Sequence, residues 1–162
     1  MPKLTLTPDL AREIRLAGLF YLAIIMTGLG AELGLRAPLI DLGNAGATAE
    51  AILAAPGRFW LAIAADLVMA LSDAALAILL YRIFRAMAPG LALSAMVFRL
   101  IQTVLIAVSL MGLMTGWLVL VRADILADAP ALALVFFDLH AHGYDLGLVF
   151  FGVNSLITGL LV

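Results

Sequence analysis

The chain has 162 residues, of which 65% are hydrophobic and 12% charged, with mean hydropathy +1.19 and net charge −2. That composition excludes an ordinary soluble domain, which is about half apolar and about a quarter charged. So small a charge gives no footing for nucleic acid. With no cysteine in the chain, disulfides, thiolate catalysis, iron–sulfur clusters and cysteine-bound zinc are excluded as well.

A hydrocarbon core of about 30 Å takes about 20 apolar residues to cross as a helix. Thr7-Pro8-Asp9 reads as a helix start, with a hydroxyl cap, proline in the first turn and an acid at the positive end. The first crossing is expected over 14–35, its apolar run from Leu16 to Ala31 closed by Glu32 and Arg36. That run is too long for a cleaved signal peptide, and no small-x-small site follows it. In the next loop, Thr48 to Ala55 reads as a short helix, capped by Thr48, stopped by Pro56-Gly57 and laid on the outer surface. A second crossing is expected over 58–85 and a third over 90–121. The fourth is expected over 138–162, with the stretch after Pro130 outside the hydrocarbon.

The fold class is therefore all-α: a polytopic transmembrane bundle of four crossing helices and one outer-surface helix near 48–55, in a single membrane domain over 1–162. Lys3, Arg12, Arg15, Arg82 and Arg85 fall on one side, and Arg36, Arg58 and Arg122 on the other. The positive-inside bias then puts both termini in the cytoplasm. Trp60, Trp117 and Tyr81 fit interfacial belts. The seven Met read as packing filler. Gly30/Gly34, Gly112/Gly116 and Gly143/Gly147 are spaced for close helix approach.

Ionisable groups at bilayer depth are costly and mark candidate sites. Asp66 and Asp73 share one face of the second crossing with Ala70 and Ala77, and Arg99, Gln102 and Ser109 share one face of the third. Across the Pro89-Gly90 hairpin, Asp73 and Gln102 fall at equal depth, with Arg99 roughly 6 Å nearer the hairpin at 1.5 Å per residue. Asp73 is expected to accept hydrogen bonds from Arg99, Gln102 or both. Such a network either fixes helix register or relays protons or ions. Asp66 has Arg36, Arg58 and the fourth-helix histidines as candidate partners; otherwise it is carried as the neutral acid.

"HAHGYD", His140 to Asp145, raises the question of a metal or proton site. Two residues apart on a helix is about 200°, so the histidines face opposite ways, unlike the i, i+4 pair of H-E-x-x-H zinc sites. One face carries Asp138, His142 and Asp145; the other carries His140, Tyr144, Gly147, Phe151 and Asn154. The first group reads as a hydrogen-bonded cluster, a pH-sensitive or small-ligand site, or a metal site. With Glu32 and Arg36, residues Asp138, His140, His142 and Asp145 are expected to line a polar vestibule on the outer side. Polar groups on both faces of the last helix call for neighbours on both sides.

Four stretches in this order resemble one family: Ala11 to Glu32, "IAADLVMALSDAALAILLYRIFR" (Ile63 to Arg85), "FRLIQTV" (Phe98 to Val104) and "HAHGYDLGLVFFGVNSLITG" (His140 to Gly159). They resemble the bacterial membrane family known as domain of unknown function 4386. The resemblance spans nearly the whole chain. It implies a multi-pass protein of the bacterial inner membrane without an assigned activity, and an architecture that continues beyond Val162. Asp66, Asp73, Arg99, Gln102, His140 and Gly152 match the family pattern, and no catalytic role carries over to them.

The residues together point first to a structural or accessory subunit packing against other membrane helices or a second copy of itself. No nucleophile constellation, catalytic residue or cofactor is nominated; lipid contacts are expected. The alternatives are a small transporter or membrane enzyme using the vestibule and the Asp66/Asp73 stripe, and a histidine-based metal or pH sensor.

Overall fold

The structure is a computed structural model that describes residues 7–162, and every regular element among them is helical. Helix α1 (Pro8–Leu29) opens on Thr7, whose hydroxyl accepts from the Leu10 amide at 3.3 Å, with Pro8 in the first turn. The helix then widens into a π-helical stretch, Gly30–Arg36, closed by an Ala37 N–H to Glu32 C=O bond of 2.9 Å. Such wide turns shift the register of the residues that follow, and here Arg36 ends buried at the foot of the stretch.

Helix α2 (Ala45–Ala54) starts earlier than expected because Asn44, not Thr48, is its cap: the Asn44 side-chain oxygen accepts from Ala47 N at 3.0 Å. Thr48 lies one turn inside, its hydroxyl bridging the N–H and C=O of Asp41, each at 2.8 Å. Nor is α2 merely laid on the outside. Its Ile52 is fully buried in one apolar cluster with Phe59, Leu113 and Phe137.

Helices α3 (Pro56–Phe84), α4 (Pro89–Val121) and α5 (Ala129–Gly159) each begin with proline in the first turn, where its missing N–H costs no hydrogen bond. A tight hairpin joins α3 to α4. Helix α5 is continuous from Ala129, so the stretch before Asp138 is part of it and not a separate segment. Ala129, Ala133 and Phe137 are buried in the cluster shared with α2 and α3.

Helix α1 packs on α3, α3 on α4, and α4 most extensively on α5. Two of the three glycine pairs explain that last seam. A Cβ on Gly112 would meet the Phe136 carbonyl oxygen at 2.6 Å. One on Gly143 would meet Ser109 Cβ at 2.9 Å, one on Gly147 would meet Ile106 Cγ1 at 2.9 Å, and Gly116 lies against the Phe137 ring. Gly30 and Gly34 face open space, so their spacing has no packing role within this chain.

Three helical stretches are long and apolar enough to cross a membrane: Pro8–Arg36, Pro56–Phe84 and Pro89–Val121. Helix α5 spans 31 residues, but Asp138, His140, His142 and Asp145 interrupt its apolar character. One apolar cluster fills the α2 end of the bundle, and a smaller one, around Ala17, Leu76 and Ile83, fills the other end. Most of the buried polar side chains lie between them.

Candidate functional site

Arg99 on α4 is 1% exposed and touches every other long helix. Its Nε donates to Asp73 Oδ1 on α3 at 2.8 Å, and its Nη1 donates to the Tyr21 hydroxyl on α1 at 3.3 Å. Asn154 on α5 turns its amide oxygen to Nη1 at 3.2 Å and donates to the Ala95 carbonyl at 2.9 Å. The guanidinium also lies 5.1 Å from the centre of the Tyr21 ring and 5.9 Å from that of Phe151, within cation–π range. The second Asp73 oxygen accepts from Thr103 at 2.8 Å. The expected Asp73–Arg99 pair is therefore present, but Thr103 takes the place given to Gln102. Gln102 lies one residue earlier on α4, about 100° away, and its buried Oε1 has no partner among the described residues.

Asp66 lies about 10 Å along α3 from Asp73 at 1.5 Å per residue. It is fully buried and paired with Arg36. Arg36 also holds Glu32, one turn back, through Nη2 at 2.6 Å and Nε at 3.1 Å. Its guanidinium sits 5.5 Å from the centre of the Tyr144 ring on α5. Arg58 is not the partner of Asp66; it donates to the Gly34 carbonyl at 2.6 Å.

A cavity of about 360 Å³ opens above this pair, lined by Glu32, Arg36, His140, Tyr144 and Asp145 among others. These include four of the six residues expected in the vestibule. Asp138 and His142 are not among them. His142 is exposed and its ring nitrogen bonds within its own helix: Nδ1 lies 2.9 Å from the Asp138 carbonyl and 3.3 Å from an Asp138 carboxylate oxygen. His140 and Tyr144 lie on the inward face of α5 and Asp138 and His142 on the outward one; Asp145, a turn further along, still borders the cavity. Asp138, His142 and Asp145 do not form a metal-holding group, and no such group occurs among the described residues.

A second cavity of about 340 Å³ lies deeper, between α1 and α5 with α3 and α4 as its floor. Its walls include Ile25, Gly28, Glu32, Met69, Gln102 and Phe151. Glu32, Tyr144 and Leu148 line both cavities, so the two adjoin. Neither Asp66 nor Asp73 lines either one. Each pairs with an arginine, Asp73 also accepting from Thr103, while Asp66 Oδ1 has no partner among the described residues.

His140 Nδ1 lies 3.1 Å from Ser109 Oγ, which also bonds the Ile106 carbonyl at 2.8 Å. A serine–histidine pair invites comparison with nucleophilic catalysis. Ser109, however, is buried and lines neither cavity, so the contact orients the His140 ring in the cavity wall. Sequence reading passed over Tyr21, Thr103 and Tyr144 as site residues. The only available signal was their helical spacing relative to charged residues on other helices.

The family model described as "Domain of unknown function (DUF4386)" matches residues 16–162, and the chain belongs to that family. No curated protein and no solved structure matches it.

Proposed function

We propose that this family member is a small, non-catalytic accessory subunit of the bacterial inner membrane, with four crossings and a cytoplasmic N-terminus. Helix α5 supports the fourth crossing. It runs antiparallel along α4, from Phe137 beside Gly116 to Asn154 beside Ala95. That is about 26 Å at 1.5 Å per residue, close to the thickness of a hydrocarbon core. It thus shares the depth of a helix that is itself apolar enough to cross.

The observation that carries the accessory role is the one-sidedness of α1. Only 11% of its apolar stretch is buried, against 39% and 44% for the two central helices. Leu19, Leu22, Met26, Leu29 and Leu33 are each more than half exposed. A helix held on one face offers the rest of its surface to lipid or to neighbouring helices. Because the chain has no cysteine, single cysteines carrying a photo-crosslinker test this in native membranes. Positions 22 and 26 on α1 are expected to capture protein, and positions 108 and 111 on the exposed face of α4 only lipid. Capture of lipid alone at all four positions refutes the role.

A further inference from the structure

The two adjoining cavities differ in chemistry. In the upper one, Glu32 and Asp145 bring two carboxylates to the wall, and Asp66 stands behind Arg36. Arg36 offsets one of these three negative charges, which leaves an acidic chamber. The lower one is walled mainly by Ile24, Ile25, Leu29, Met69, Ile106 and Phe151. Gln102 is 6% exposed and also lines this chamber from α4. Glu32 and Gln102 share the lower chamber, and Glu32 also borders the upper one.

We propose that this cleft between α1 and α5 binds a single-chain amphiphile with a protonated amine head, taken from the bilayer. The charge sits by Glu32 and Asp145, and the chain lies along the lower wall. Both volumes fall within the range of about 300–1,000 Å³ of small-ligand sites. An anionic amphiphile would place its charge against carboxylates, at a cost that favours the amine.

The experiment uses the full chain in a mild nonionic detergent and reads retained ligand by native mass spectrometry. The probes are dodecylamine, dodecanol and dodecanoate, which share a chain and differ in head charge. The amine is expected to be retained best and dodecanoate least. Equal retention of the three, or a preference for dodecanoate, overturns the proposal. The ranking is read on the unaltered protein, so it does not depend on any variant folding. Leu148→Trp fills the shared wall from an exposed position and is expected to cut retention of all three probes at least tenfold; unchanged retention places binding elsewhere and overturns the cleft. Asp145→Asn is expected to weaken the amine about threefold and to leave dodecanol unchanged, a size typical of one exposed charge. An equal loss of both probes contradicts the charge reading. A cysteine at 148 that crosslinks to another polypeptide in native membranes shows a helix in the cleft and overturns the amphiphile.

Discussion

Arg99 is enclosed by four helices, whereas Arg36, at the end of the π-helical stretch, has a cavity on one flank. Each neutralises an aspartate of α3, Asp73 in one case and Asp66 in the other. Arg99 is ringed by Tyr21, Asp73, Asn154 and Phe151, groups fixed on three separate helices. Arg36 shares its charge with Glu32, which reaches out into the vestibule. The same pairing therefore serves as a lock when enclosed and as a cavity wall when one flank is open. Where a charge is placed decides whether it braces a bundle or shapes a binding site.

The largest effect is expected at the enclosed arginine. Arg99→Met strands Asp73 and should lower stability by about 3–5 kcal/mol, read as loss of helicity during titration with a denaturing detergent. Adding Asp73→Leu to it should restore most of that loss, because removing both charges leaves none uncompensated. Failure of the double variant to recover would mean that Tyr21 and Asn154 matter more than the ion pair. Arg36→Met strands Asp66, but the adjoining cavity admits water. A smaller loss of about 2 kcal/mol is expected, and an effect equal to that of Arg99→Met would erase the distinction drawn between the two.

The α4–α5 seam runs past both charged layers. Gly112→Ala drives a methyl against the Phe136 carbonyl and should cost about 1.5 kcal/mol through forced separation of the helices. Gly34→Ala faces open space and should not lower the melting temperature in detergent. The smallest effect is expected at His142. His142→Ala should leave the melting curve unchanged, whereas His140→Ala, which removes a buried ring bonded to Ser109, should shift it. If the two histidine variants behaved alike, the assignment of α5 faces would fail.

How much was legible in the sequence differed from one charge to the next. The Asp73–Arg99 contact followed from counting residues around a tight hairpin, where rise per residue fixes relative depth. The same counting missed Thr103, because depth alone does not give azimuth, and one residue on a helix turns the side chain by about 100°. Asp66–Arg36 could only be narrowed to candidates. A loop and a short helix separate α1 from α3, and a π-helical stretch sets the final rotation of Arg36. The sequence places vestibule residues on both faces of α5; packing brings His140 and Asp145 to the cavity and leaves Asp138 and His142 outside it. The cap of α2 moved from Thr48 to Asn44 because a threonine that can bond the Asp41 backbone competes for its own role as a cap.

From composition and periodicity alone came the helical class, the apolar stretches, the hairpin and the inward turn of the intramembrane charges. Those follow from the solvent, since a backbone in hydrocarbon must satisfy itself and a charge must find a partner. Which partner each charge found, which glycines touch, and the open cleft between α1 and α5 were decided only by the packed structure. They depend on the rotation of each helix about its own axis, and that rotation is set jointly by every neighbour.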